Sequence, residues 1–279
     1  MGSLQIALGY SHQPCAARTL SQDGTLRPRE MCVGATKIEF RLRMIIMTLI
    51  IFIGFWAPWT GNWGLGRRTP LWAWLAFALS SHGFASIAVA TPLVIVIAAL
   101  VAAMGAVLRI WGAACLGYDT VHHGQMQAGA VMADGLYRHV RNPLYLGGWC
   151  MMTAMSLLMP SSGALFAMPL MTVFFLRLIL AEETFLAAQI GQPYLDYLRA
   201  VPRLFPSLRT ILSHTTPQPT SHKPQWLHAL ITEINPIGVF LAWAVFSWSY
   251  NNLLMLKVII IGFGLSMVVK ALVPTNSAK

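Results

Sequence analysis

The stretch Gly135-Leu136-Tyr137-Arg138-His139-Val140-Arg141-Asn142-Pro143-Leu144-Tyr145-Leu146-Gly147 sets charge, hydroxyls, glycines and a proline at the mouth of an apolar helix. It has a counterpart downstream in Glu182-Glu183, Leu186, Gly191, Tyr194, Tyr197, Val201-Pro202-Arg203 and Pro206. Between them lie two apolar runs, at about 143–160 and 163–181, broken by Pro160-Ser161-Ser162-Gly163. A break that tight predicts a helical hairpin. Polar residues at a membrane edge are costly unless paired or used, so function is to be sought in these two segments.

The rest of the chain supports the membrane reading. Of its 279 residues, 56% are hydrophobic and only 10% charged, with a mean hydropathy of +0.61. A soluble domain carries about 25% charged residues, and so few charges cannot cover a water-facing surface. The expected fold class is an all-α polytopic membrane protein. Lys and Arg total 19 against 9 Asp and Glu. In a membrane protein that excess reports cytoplasmic loops and contact with anionic headgroups. The basic residues are scattered between apolar segments and form no dense patch, which argues against a nucleic-acid partner. Cys15, Cys32, Cys115 and Cys150 lack close metal-ligand spacing, so no metal site is expected. Cys115 and Cys150, in apolar segments, read as small buried thiols.

Apolar spans fall at about 44–60, 71–90, 92–116, 143–160, 163–181, 227–249 and 253–273, which predicts about five to seven crossings of roughly 20 residues each. Thr91-Pro92 and Asn251-Asn252 read as further hairpin breaks, and Trp56, Trp59, Trp63, Trp72 and Trp74 as an aromatic belt. Five regions follow. Residues 1–43 read as a disordered extension or an over-long start, with Met44 or Met47 as a natural first residue. Residues 44–116 hold N-terminal spans. Residues 117–208 form a core with a loop, the hairpin and an amphipathic helix from 182. Residues 209–225 are a linker, and 226–279 an extra hairpin. Placing 117–142 and 182–225 in the cytosol suits Arg138, Arg141, Arg199, Arg203, Arg209 and Lys223. The same count puts 1–43 outside, against the positive-inside tendency. A late start, a first span that does not cross, or a different span count would each resolve this.

The chemistry of the two segments is complementary. Gly135 permits a turn other residues resist. Pro143 suits the first helical turn, with Asn142 as its N-cap. That helix start offers free backbone N–H groups and a positive dipole end. Arg138, His139 and Arg141 add positive charge, so the corner would hold a carboxylate or phosphate. Gly147 and Gly148 would allow a close approach. Glu182-Glu183 end an apolar run and want a cation or several donors, such as an ammonium, a ribose diol or Arg177. One anion-favouring patch beside one cation-favouring patch suits a zwitterionic ligand.

In its motifs the chain resembles the isoprenylcysteine carboxyl methyltransferase and phospholipid methyltransferase superfamily of integral membrane enzymes. The resemblance runs over about residues 105–208. It rests on Gly-x-Tyr at 135–137, Arg-Asn-Pro-x-Tyr-x-Gly at 141–147, and Glu-Glu-x-x-Leu-x4-Gly-x2-Tyr-x2-Tyr-x3-Val-Pro-Arg at 182–203, with Arg109-Ile110-Trp111 and Leu116-Gly117 before them. It implies S-adenosylmethionine as methyl donor at the cytosolic membrane face. The implied surroundings are His122, Gly129, Ala130, Val131, Met132, Tyr137, Asn142, Pro143, Leu144, Tyr145 and Glu182, with Gln125 as a further contributor. Arg141, Tyr145 and Glu182 are the expected catalytic set, and Arg138 and Arg177 the expected acceptor contacts. A lipophilic small molecule or lipid-modified substrate would enter from the bilayer. Asn142 stands where many members carry His. Leu178 stands where the eukaryotic isoprenylcysteine enzymes carry Arg, with Arg177 one step away.

In-line displacement from a sulfonium needs no general base when the acceptor is a carboxylate or thiolate, and catalysis is then positioning and desolvation. An amine acceptor would lose a proton to Glu183, His139 or His123. Two other classes stay open: a nicotinamide-dependent membrane reductase and a non-catalytic lipid-binding protein. Against the first, Glu182-Glu183-Thr184-Phe185-Leu186 replaces the Asp-Glu-x-x-Cys pattern usual in sterol and steroid reductases.

Overall fold

A computed structural model describes residues 34–57, 68–116, 135–206 and 224–272. Among these the regular elements are helical: α1 (Lys37–Arg41), α2 (Arg43–Trp56), α3 (Leu71–Ser81), α4 (Ile87–Leu116), a 3₁₀ turn (Gly135–Arg138), α5 (Pro143–Ser156), α6 (Ser161–Ile190), α7 (Gln192–Ala200), α8 (Trp226–Thr232), α9 (Ile234–Ser249) and α10 (Asn252–Leu272). The protein is thus a helical membrane protein. By length and composition α4, α6 and α10 each suffice to cross a bilayer, and α8 with α9 would count as a fourth crossing if that bent pair is one span. The 14, 11 and 14 residues of α2, α3 and α5 fall short of the roughly 20 a crossing requires.

The structure redraws several expected boundaries. The break expected at Thr91-Pro92 lies instead at His82–Ser86, where Gly83 takes φ 76°. Ser86 starts α4 by accepting from the N–H groups of Val89 and Ala90. Pro92 sits early in that helix, where a missing N–H removes one internal bond and does not end the element. The span expected to stop at 181 runs on: α6 is one helix of 30 residues ending only at Gly191, with φ 74°. Residues 34–43, read as part of a disordered extension, carry α1. Thr36 and Glu39 cap it reciprocally, the Thr36 hydroxyl accepting from Glu39 N–H and Glu39 accepting from Thr36 N–H. The apolar run at 227–249 is bent by 71° between α8 and α9. Residues 1–33, Trp59, Trp63 and most of the 209–225 linker lie outside the described residues.

Two packed clusters meet at α5. On one side Ile95, Ala98 and Ala102 of α4 pack with Met151 and Ala154 of α5 and with Val239, Ala242, Trp243 and Phe246 of α9. On the other, Met152 of α5 joins Ile50 of α2 and Ala164, Ala167, Met171, Phe174, Phe175 and Leu178 of α6. Small residues let apolar helices pack closely where no hydrophobic effect separates them from lipid. A Cβ on Gly147 of α5 would stand 2.9 Å from the Gly105 carbonyl oxygen of α4. The first turns of α5 are therefore seated directly on α4. The same device joins α2 to α6, where a Cβ on Gly163 would overlap the carbonyl oxygen of Gly54.

Gly163→Ala is expected to lower stability in detergent by about 1–3 kcal/mol, because backbone would have to move. Gly264→Ala, whose added Cβ meets nothing within 4 Å, should change it by no more than about 0.5 kcal/mol. Thermal unfolding of the purified variants checks both; equal effects would contradict the close crossing.

Candidate active site

The corner before α5 is built from backbone upward. Gly135 takes φ 56°, and a Cβ there would come 2.5 Å from Cys115 Sγ at the end of α4. Only glycine meets both conditions. The 3₁₀ turn it opens closes with His139 and Val140 N–H donating to the Leu136 carbonyl. Arg141 N–H then donates to the Pro202 carbonyl (2.9 Å) and Asn142 N–H to that of Arg203 (3.2 Å). The Tyr197 hydroxyl donates to the Tyr137 carbonyl at 2.8 Å. The two motif segments are therefore joined through main chain. Tyr194, Tyr197 and Val201 pack with Ala187 under this turn. Burial pushes the phenols of Tyr137, Tyr194 and Tyr197 well above their ordinary value, so each remains a protonated donor.

Glu183 is the polar centre of the corner. It is buried, with 5% of its surface exposed. Its carboxylate accepts from Arg203 Nη2 (2.8 Å) and Nε (3.1 Å) and from Asn142 Nδ2 (3.1 Å). Arg141 Nη1 stands 3.4 Å away. Asn142 occupies the N-cap position of α5, as expected, but makes no side-chain cap bond. Its amide turns instead to Glu183 and to the Arg203 carbonyl (3.3 Å). A buried carboxylate is the stronger claimant on that donor. Glu182, one residue earlier and about 100° around the helix, faces elsewhere and accepts the Tyr145 hydroxyl at 2.9 Å. The Tyr145 ring meets Phe175 edge-on, with centroids 5.7 Å apart.

Arg141, Asn142, Tyr145 and Glu182 thus gather at one end of the α5–α6 hairpin, with Tyr137 buried behind them. Pro143 is buried at the first helical position. Leu144 points away, against Gly112 of α4. Arg138 ends the 3₁₀ turn, half-buried. Arg177, expected as an acceptor contact, donates to both oxygens of Glu39 (2.8 and 3.1 Å), and its carbonyl accepts from Ala35 N–H at 2.8 Å. It anchors the α1 arm to α6. His122, Gly129, Ala130, Val131 and Met132, with His123 and Gln125, lie outside the described residues.

An apolar cavity of about 160 Å³ opens beside Tyr145, lined also by Leu146, Trp149, Thr172, Phe175, Leu176, Ile179, Leu204 and Phe205. Besides Tyr145, its polar side chains satisfy each other: Trp149 Nε1 donates to Thr172 Oγ1 at 3.0 Å. Sequence reading did not find Glu233. It pairs with Arg109 from 124 residues away, and its signal is a lone acid inside an apolar run.

Glu183→Ala would strand the guanidinium groups of Arg141 and Arg203 and should cost about 3–5 kcal/mol in thermal unfolding. Arg203→Ala, whose side chain is 36% exposed, should cost clearly less. Separately, the Arg177 guanidinium holds the Glu39 carboxyl below its usual value of 4.5. A lowered folded pKa means the contribution is complete above 4.5 and is lost as pH falls through the folded value. The stability advantage of wild type over Arg177→Leu should therefore be flat near neutrality and shrink on acidification. An advantage that persists in acid would rule the pair out as its source.

Comparison with known proteins adds a family. The family model described as phospholipid methyltransferase matches residues 93–192, from early in α4 to the start of α7. No curated protein and no solved structure matches the chain. The matched stretch contains the corner, the hairpin and both glutamates, and over it the chain is similar to the phospholipid methyltransferase family.

Proposed function

We propose that the chain transfers a methyl group from S-adenosylmethionine to a lipophilic acceptor at the membrane interface, on the cytosolic side (of the inner membrane in a bacterium). The observation that carries this is the convergence of Arg141, Asn142, Tyr145 and Glu182 at one end of the hairpin, next to an apolar cavity that shares Tyr145. The family match supports methyl transfer, and the cavity supports an acceptor with a hydrocarbon part.

The residues present fit a zwitterionic methyl carrier. Arg141 Nε is buried with no hydrogen-bond partner, a donor left over for an anion. The Asn142 side chain leaves the first-turn N–H groups of α5 uncapped. When bound, S-adenosylmethionine supplies an electrophilic methyl group on a sulfonium. Arg141 and the start of α5 would hold its carboxylate, and Glu182 its ammonium or ribose hydroxyls. Tyr145 fixes the Glu182 carboxylate by donating to it. Tyr137 and Pro143 would form the wall behind, while the Leu144 side chain turns to Gly112 and contributes only main chain; His122 and 129–132, proposed as further contacts, lie outside the described residues. Arg138, half-buried at the end of the 3₁₀ turn, would meet an acceptor headgroup.

For a carboxylate or thiol acceptor the chain need only orient the reacting atoms and exclude water. For an amine, Glu183 is ill suited as base because Asn142, Arg141 and Arg203 already take up its oxygens. That role would fall to His139 or His123.

Glu182→Ala should abolish S-adenosylmethionine binding, measured by titration in detergent, while the protein still inserts. Tyr145→Phe should weaken it by roughly tenfold, the scale on which partners that orient a binding group act. Tight NADPH binding by the wild type without S-adenosylmethionine binding would replace this reading by a reductase.

A further inference from the structure

The corner is buttressed by a residue the family match does not reach. Glu233 stands at the 71° bend between α8 and α9 and is 7% exposed. It is the only acid in residues 224–272. A carboxylate buried in an apolar bend persists only when paired. Its partner is Arg109 of α4, which donates from Nε at 2.7 Å and from Nη2 at 3.0 Å, a two-pronged fork. The remaining guanidinium nitrogen, Arg109 Nη1, donates to the Leu144 carbonyl at 3.4 Å. Leu144 immediately precedes Tyr145. The stem of Arg109 passes α5 where Gly147 has no side chain; a Cβ there would stand 2.7 Å from Arg109 Cγ. The Leu144 side chain meets Gly112 of α4 and packs against the cluster of Ala113 and Ala114 of α4 with Ala229 of α8.

We infer that Glu233 is a positioning residue for the methyl-transfer site, acting through Arg109 on the first turn of α5, and that the C-terminal helices are thereby part of that site. The inference rests on the functional reading above. Glu233 fixes two of the three guanidinium nitrogens, which aims the third at the Leu144 carbonyl. That bond sets the height of the first turn against α4 and so the reach of Tyr145 to Glu182. Arg109 lies within the matched stretch, 93–192, whereas Glu233 lies beyond it. An arginine of the family region has thus been given a partner from outside it.

The test uses the full-length chain in detergent with Glu233→Gln and Arg109→Lys. Gln keeps the shape and removes the charge; Lys keeps the charge and cannot hold Glu233 and the carbonyl in a planar fork. Two readouts are taken: S-adenosylmethionine affinity by titration, and backbone hydrogen exchange in peptides covering 136–147 and, as a reference, the first turns of α6. Both variants should lose about tenfold in affinity, the usual cost of removing a group that orients a binding residue. Exchange should rise in 136–147 and stay unchanged in α6. Unchanged affinity and exchange in both variants, or exchange raised equally in both regions, would overturn the inference. Should the wild type bind no S-adenosylmethionine, the functional reading fails by itself, and exchange in 136–147 still decides whether Glu233 holds the corner.

Discussion

The buried carboxylate of Glu183 is the interaction on which the site's geometry depends. It receives Arg203 from the turn after α7 and Asn142 and Arg141 from the irregular entry to α5, while it stands on α6 itself. A charge this deep is strongly unfavourable alone, so the three segments are held together or the fold fails locally. The two main-chain bonds from Arg141 and Asn142 to Pro202 and Arg203 lie beside it and share that constraint. Glu182 then has little choice of direction. Adjacent helical residues diverge by about 100°, so seating Glu183 against the arginines turns Glu182 toward Tyr145. One glutamate is tied to three donors from the corner, and its neighbour accepts only the Tyr145 hydroxyl among the described residues.

Helix length explains why these charges survive at the end of an apolar helix. At about 1.5 Å per residue a helix of 30 residues is roughly 45 Å long, against a hydrocarbon core of about 30 Å. α5 has 14 residues. The hairpin partners are therefore unequal, and the last turns of α6 overhang the start of α5. Phe175 is level with Tyr145, and Glu182 lies two turns further on. Arg141 and Asn142 meet that overhang at Glu183, while the 3₁₀ turn before them sits on the end of α4. Polar groups can be assembled there without being drawn through the apolar core.

What was legible in the sequence was local. Pro160-Ser161-Ser162-Gly163 marked the hairpin, and the spacing of polar residues marked its polar end. Gly135 and Gly191 do sit at positive φ. What was not legible was partnership at a distance. Pro92 looks like a break because its ring usually ends a helix, yet near a helix start the loss is one bond. Glu182-Glu183 looked like a helix end because two charges interrupt an apolar run, and only their partners allow α6 to continue. Asn142 has the composition of a cap, but a buried carboxylate across the chain outbids the local N–H groups for its amide. Arg177 and Glu39 pair across 138 residues, and no periodicity reports that. The same gap hid the ordered arm at 34–43.

The arrangement of helices also limits how an apolar molecule could reach Tyr145. α4 and α9 cover one side of α5 through Ile95, Ala98, Trp243 and Phe246. α2 covers part of α6 through Ile50 and the Gly54–Gly163 crossing. The seam left between α5 and α6 is the one with the cavity, and its rim residues Trp149, Leu176 and Phe205 are 37%, 38% and 68% exposed. Nothing polar along it awaits a partner, since Trp149 and Thr172 satisfy each other. A hydrocarbon chain entering there would meet no unsatisfied donor until the Tyr145 hydroxyl, and that hydroxyl is already engaged with Glu182. The apolar route therefore ends at the Tyr145–Glu182 pair, at the same end of the hairpin where the polar corner is assembled.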